Sequence, residues 1–589
     1  MAEIAIIRKL LIRHFRGINK LDWTPASGMN FILGGGDVGK STLLDAIALL
    51  LNPSNATLVS EADYWQRDTT QDFEIEAVIH IPVTSEISTQ RSFAWPWAWD
   101  GENAVMPTIK ADGSDDMPTP DDPVYRIRVR GTSDQLELVW EIVQPHDETD
   151  HFSVALRRKI GIVRLGADER NDRDLRLVYG SALDRLLADS ALRSRIGKQV
   201  SAFNLDESLN EKGKDAISAL DKRLSTAALP SGLKLGLTTS QGLSIGALIG
   251  LLAENDGVSL PLSSWGAGTR RMAALEIASL IEKDASVVVI DEIERGLEPY
   301  RLRKLINNLL GAAHQTFVTT HSPVAISCAK KAHLWYLDSV GNIGELPHTK
   351  ISSQQRREPE TFLARLAVIA EGPTEVGFLR FLLEKAFKTQ PLDHGVRVCN
   401  GEGNESTLAL LEALSSAGLA FAGLADNEGN NPGRWAVVKK ALGDRLLQWS
   451  DGCTEQHVIE AIPEDKLTEL LKDAEGSFNG ERLRTLATRI GIADKGLVVI
   501  QAKLAETGKS LRQLIIEAAT GCKTGAPADA QKEWKSHERC WFKSEGGGRE
   551  LAEIMISVGA WPTICPVVLP LVNAILKAAD QPELEKLEL

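Results

Sequence analysis

The chain has 589 residues, 43% of them hydrophobic, with 66 basic and 80 acidic side chains giving a net charge of -14. That length exceeds one ordinary core, so two or three globular domains are expected. The acidic balance excludes recognition of nucleic acid by bulk charge and leaves only local patches for it.

The opening run MAEIAIIRKLLIRHF is broken by Arg8, Lys9, Arg13 and His14, which does not read as a signal peptide. No stretch reads as the ~18 apolar residues of a membrane span. Six scattered cysteines without a CxxC pair point to free thiols in a reducing cytoplasm. Strands are predicted near residues 4–12 and 29–33, followed by a Gly-rich turn and an apolar helix over 41–51. FEIEAVIHIP, residues 73–82, alternates apolar and polar positions as a half-buried strand does. Residues 95–123, rich in Asp, Gly, Pro and Met, read as an exposed insertion or flap. Over 172–228 apolar residues recur at three-to-four spacing, which predicts helices that pack on the core or on a second copy. Strand patterns resume near Leu233 and run to Leu337, SSQQRREP (352–359) reads as a linker, and a new α/β unit opens at 365–370. No heptad run predicts a long coiled coil.

Gly34–Ser41 reads GGGDVGKS and fits G-x-x-x-x-G-K-[ST]. Glycines let the backbone fold around phosphate with its N–H groups inward. Gly34, Gly35, Gly36, Asp37, Gly39, Lys40, Ser41 and Thr42 are therefore the candidate ATP-binding residues, with Lys40 on the β- and γ-phosphates and Ser41 on Mg²⁺. SVVVIDE (286–292) describes a buried strand ending in two carboxylates. Asp291 is expected to hold the Mg²⁺ through water and Glu292 to orient the attacking water. TFVTTHS reads as the next strand, with His321 placed to sense the γ-phosphate. In LSSWGAGTRR (262–271), Ser264, Gly266 and Gly268 open a helix N-terminus, an anion site.

A second centre lies further on. LAVIAEGPTE (366–375) is a strand followed by a turn that can aim Glu371 and Glu375 at one cation. GLADNEG (423–429) ends another strand in Asp426 and Glu428, and HVIE adds Glu460. Hard oxygen ligands at strand ends suit one or two Mg²⁺ or Mn²⁺ ions, which can activate water against a phosphodiester. All five tyrosines precede this segment, so water is the better nucleophile than a tyrosyl group.

These motifs carry a resemblance. LLIRHFRGI with Phe15-Arg16 resembles the start of SMC- and RecF-like ATPases, and LSSWGAGTRR is similar to a degenerate ABC signature. DEIERGLEP (291–299) resembles the DEPExxLHP run of the OLD (overcoming lysogenization defect) family, with Ile293 for Pro and Glu298 for His, and with Gly36 where the family's P-loop usually has Asn. The carboxylate trio resembles a Toprim domain with Glu428 in place of the second Asp of its DxD. The resemblance to OLD nucleases, Gabija-type nucleases included, implies an α/β fold. An ABC-type ATPase head (1–165 and 231–350) would be interrupted by a helical insertion with a possible dimerisation role (166–230). A linker (351–364) and a Rossmann-like Toprim domain (365–589) would follow. It implies that the signature loop reads the nucleotide of an opposite subunit in a dimer or higher homo-oligomer, and that a C-terminal lysine, Lys543 by position, serves the metal site. It also implies a nucleotide-controlled DNA endonuclease in defence against phage, with a helicase or other defence-system partner and no membrane. The rival readings are a RecF-like DNA clamp with a non-catalytic Toprim scaffold, and a nucleotide-sensing platform acting on a partner protein.

Overall fold

The computed structural model describes residues 4–587 apart from 56, 83–86, 94, 108–119, 134, 146–147, 166–173, 179–180, 188, 190–191, 193–208, 238–248, 282–285, 339–340, 417–420 and 474. The chain divides into two compact units, Met1–Leu33 with Asp37–Ile343, and Gly34–Gly36 with Gly344–Leu589.

In the first unit, strand Ile6–Phe15 alternates buried and part-exposed positions and pairs antiparallel with Ile18–Trp23 on one side and Phe73–His80 on the other. Met29–Leu33 and Val287–Ile290 are buried at every position, as strands covered on both faces must be. They belong to a sheet whose parallel strands run Ile162–Leu165, Val287–Ile290, Gln315–Thr319, Met29–Leu33, His333–Leu337. The helix Lys40–Leu50 buries Leu43, Leu44 and Ile47 in a core shared by both sheets. This parallel sheet places the P-loop, Asp291 and Thr319 at the carboxyl ends of adjacent strands, where open α/β sheets bind ligands.

One expectation changes here. Residues 95–123 are not loop at their described ends, because Trp97–Trp99 pairs with Pro123–Gly131 and buries Trp97; a three-residue strand leaves no period to read. The remainder, 108–119, lies outside the described residues. Much of the expected helical insertion also lies outside them. Of its described helices, Ala182–Leu187 and Glu211–Thr226, the second turns Ile217, Leu220 and Leu224 inward against Ala267–Ile281 of the same chain, one of the two packings expected, with Arg223 Nε donating to Glu276 at 3.0 Å. The basic run Arg126, Arg128 and Arg130 is neutralised across the sheet by Glu76, Glu74, Glu141 and Asp72.

The second unit holds a parallel sheet ordered Val396–Asn400, Leu366–Ala370, Ala422–Ala425, Leu446–Gln448. The expected linker is a helix, His348–Arg357, with Ile351, Gln354 and Gln355 buried. Helix Trp561–Ala578, of mean hydropathy 1.4, is by length and composition apolar enough to cross a membrane, contrary to expectation. Its face of Ile564, Val568, Leu571, Val572 and Ile575 packs into this unit's core. Helices Pro373–Phe387 and Glu545–Ser557 cross at glycines: a Cβ on Gly377 would lie 1.9 Å from the Glu545 carbonyl, and one on Gly548 2.0 Å from that of Thr374.

Candidate functional site

The nucleotide centre is assembled at the strand ends of the first unit. Gly39 caps the P-loop helix in the left-handed region at φ 96°, and Asp37 also takes a positive φ of 55°. Lys40 is buried; burial lowers its pKa, and Asp291, Asp37, Glu292 and Glu294 oppose that shift. Ser41 Oγ donates to Asp291 Oδ1 at 3.2 Å, and the same oxygen accepts from Thr319 Oγ1. The P-loop serine and the expected Mg²⁺ carboxylate therefore meet although 250 residues apart.

Glu292 follows in the left-handed region at φ 47°, a conformation costly for a side chain with a Cβ. Three contacts hold it: Thr319 Oγ1 accepts from its N–H at 2.8 Å, Arg271 Nη2 donates to its carbonyl at 3.0 Å, and Arg295 pairs with its carboxylate at 3.2 Å. Arg271 is buried and also donates to the Asp291 carbonyl at 2.7 Å. Glu294 accepts from Thr320 Oγ1 and from the His321 N–H, both at 2.6 Å, while His321 is exposed. Ser264 Oγ donates to the Pro261 carbonyl at 2.7 Å. Gly268 opens the helix Ala267–Ile281 so close to the Gly296 carbonyl that a Cβ would lie 2.3 Å from it. Gly266 has open space around it. Phe15 is fully buried, and Arg16 pairs with Asp63 and with Asp45 on the P-loop helix.

The second centre gathers four buried carboxylates, Glu371, Glu375, Asp426 and Glu455. Glu371 and Asp426 follow adjacent parallel strands whose registers pair Ala370 with Leu424. Glu375 and Glu455 sit in the first turns of helices Pro373–Phe387 and Thr454–Ala461, where the helix dipole favours anions. Glu371 Oε2 accepts from the Asp426 N–H at 2.9 Å and from Asn404 Nδ2 at 2.8 Å. Asp426 Oδ1 accepts from the N–H and hydroxyl of Thr454 at 3.0 and 3.2 Å. Lys543 Nζ pairs with Glu455 Oε1 at 2.7 Å, and Thr374 Oγ1 donates to the Phe542 carbonyl at 2.8 Å beside the same carboxylate.

Burial lifts Glu371 to about 7, with Asn404 and Asp426 pulling it down and Glu375 and Glu428 pushing it up. Glu375 and Asp426 rise as well, first through burial and then through their negative neighbours. Burial lowers the Lys543 pKa, but Glu455 and Glu375 overcome this and hold it above the ordinary lysine value. Glu375, Asp426 and Glu455 share the charge of one lysine, Lys543. Glu375 Oε1 and Glu455 Oε2 are buried without a hydrogen-bond partner, whereas buried polar atoms are ordinarily satisfied. This donor set fits a divalent cation.

Of the expected ligands, Glu371, Glu375 and Asp426 meet. Glu428 is exposed, lines a polar cavity of about 440 Å³ with Asn404 and Glu405, and reaches the group only by its charge on Glu371. Glu460 does not belong to it. HVIE is helical rather than a strand, and Glu460 is exposed, with Gln456 donating to it at 3.0 Å. Glu455, five residues earlier on the same helix, takes the place expected of it. The available signal was the first-turn acid in CTEQHV, which repeats the placement of Glu375 in GPTEVG. Asn404, Thr374, Thr454, Thr319, Arg271 and Glu294 carried no comparable pattern.

A family model described as "AAA domain, putative AbiEii toxin, Type IV TA system" matches residues 29–327, just over half of the chain. One described as "Overcoming lysogenization defect protein-like, TOPRIM domain" matches residues 362–427. No curated protein matches the chain. Among solved structures it is similar to an SmcHead bound to the C-winged helix domain of ScpA, at 17% identity and a TM-score of 0.37, over 58% of this chain and 97% of that one. It is also similar to an Smc head domain with an extended coiled coil bound to the C-terminal domain of ScpA, derived from Pyrococcus furiosus, at 16% identity and a TM-score of 0.35, over 60% and 100%. The first match spans the nucleotide centre and the second spans Glu371, Glu375 and Asp426; the chain belongs to the AAA family of the first match and carries an overcoming-lysogenization-defect-like Toprim domain after it.

Proposed function

We propose that the chain is a DNA endonuclease that depends on a divalent cation, Mg²⁺ or Mn²⁺, is regulated by ATP binding and hydrolysis, and acts in defence against phage. The observation that carries this reading is the buried group Glu371, Glu375, Asp426 and Glu455, with two oxygens left without partners and one lysine fixed beside them. A divalent cation bound there supplies an activated water and charge stabilisation for a leaving phosphodiester oxygen. The chain's own residues do the rest. Asn404 and the Asp426 N–H hold Glu371 in place, Thr454 orients Asp426, and Glu455 fixes Lys543 where its charge faces a phosphate. In the first unit, Lys40 neutralises the β- and γ-phosphates, Ser41 and Asp291 hold the cation, Glu292 orients water, and His321 reads the γ-phosphate. Ser264, Gly266 and Gly268 of one copy face the nucleotide of another, so the active form is a homo-oligomer.

Supercoiled plasmid with Mn²⁺ or Mg²⁺ is the test substrate, because nicking and linearisation are both visible on it. Glu371→Ala and Asp426→Ala are expected to abolish cleavage and keep ATP hydrolysis, while Glu460→Ala cleaves as wild type. Undiminished cleavage by the first two variants would place the activity elsewhere.

A further inference from the structure

The helix that carries Glu455 begins with a thiol. Cys453 is its N-cap residue and is half-buried. One ligand atom each from Cys453, Asp426 and Glu455 lie within 4.8 Å of one another, a spacing that one cation can bridge. A second observation points the same way: Glu455 is fully buried, and its Oε2 has no hydrogen-bond partner. The opposite oxygen is already taken by Lys543. The carboxylates of Glu371 and Glu375 lie outside this trio, so the centre has an all-oxygen side and a side that mixes sulfur with oxygen.

We propose that Cys453, Asp426 and Glu455 form a mixed sulfur–oxygen site that takes a thiophilic divalent cation, of the zinc or cobalt kind, in preference to Mg²⁺. Thiolate donors select softer ions, whereas Mg²⁺ demands hard oxygen ligands in octahedral geometry. On binding, the Cys453 S–H bond breaks, a sulfur–metal bond forms, and the proton passes to water or buffer; no oxidation is involved. Burial and the carboxylates of Glu455 and Asp426 raise the pKa of the free Cys453 thiol, so the proton leaves only as the cation binds. The inference rests on the reading of this centre as a cation site but does not require that it cut DNA. Its consequence is that the identity of the cation at Cys453 sets which metal supports or blocks the centre.

The test is titration of the full chain with Co²⁺ alone, followed by near-ultraviolet absorption, where a thiolate–cobalt bond gives a charge-transfer band that carboxylates do not give. Wild type is expected to develop the band to one equivalent, and Cys453→Ser and Cys453→Ala to lose it. Calorimetric titration should show Co²⁺ affinity falling about tenfold or more in both variants, with Mg²⁺ affinity changed far less. A wild-type titration that binds Co²⁺ without the band makes the site oxygen-only and overturns the proposal, and needs no variant to fold. A band that survives Cys453→Ser places the thiolate at another cysteine and overturns it equally. Failure of plasmid cleavage in every metal, with the cobalt band present, sinks the nuclease reading and leaves this one standing.

Discussion

Glu371 keeps a proton in the folded chain that the unfolded chain gives up, since burial lifts its carboxyl from 4.5 to about 7. Between those values the folded state binds more protons, so stability falls as pH rises through the window. In chelator, the melting temperature of the second unit should drop from pH 5 towards pH 7, and Glu371→Gln should flatten that slope. Glu375 and Asp426, shifted the same way, keep it from vanishing. An unchanged slope in Glu371→Gln would contradict the assignment. In the first unit, Lys40→Ala should abolish ATP hydrolysis, and Glu292→Gln should bind ATP but turn it over about a hundredfold more slowly or worse. Wild-type turnover in either variant would remove the ATPase roles given to them. At this scale the sequence was legible where an acid ends a strand or a lysine closes a P-loop, as at Lys40, Asp291, Glu371 and Asp426. It misled at Glu460, because a short apolar run before an acid has no period long enough to separate strand from helix.

The crossing of helices Pro373–Phe387 and Glu545–Ser557 decides where Lys543 sits. Gly548→Ala puts a methyl group against the Thr374 carbonyl, 2.0 Å from the new Cβ, and should cost about 1–3 kcal/mol through overpacking. Thermal unfolding should show the loss, and plasmid cleavage should fall further than stability alone explains. Gly546→Ala, with nothing within 4 Å of its new Cβ, is the neutral control; equal effects from the two would deny that the crossing matters. The run EGGGREL reads as a turn in isolation, because glycine disfavours helix. Its helical state comes from the close backbone approach that only Gly547 and Gly548 allow. The segment SSQQRREP hides a helix for a different reason: its burial is polar, with Gln354 donating to Thr361 at 2.9 Å and to Glu358 at 3.0 Å, so no apolar stripe marks it. The strands Val287–Ile290, Leu366–Ala370 and Ala422–Ala425 were readable because their buried runs end in acids.

The chain as a whole carries two centres in two compact units, and their ligands should act separately. Calorimetry is expected to show ATP with Mg²⁺ stabilising wild type and Asp426→Ala but not Lys40→Ala. Mn²⁺ alone should stabilise wild type and Lys40→Ala but not Asp426→Ala. A ligand at a hundred times its Kd contributes about 2.7 kcal/mol, enough to resolve. Loss of both responses in either variant would mean a single cooperative site. Light scattering should find at least two copies, with or without ATP; a monomer in both states would remove the proposed shared nucleotide. The order of motifs made the two-part layout legible, whereas the far partners of each centre were not, because they meet only after folding. That wiring has a consequence for how the protein is made. Glu455 acquires its counter-charge from Lys543, 88 residues later in the chain, and domains fold in the order they leave the ribosome. A nascent chain therefore carries a complete P-loop, Asp291 and Thr319 while its later carboxylates still repel one another. Translation itself delays the second centre until the first is already in place.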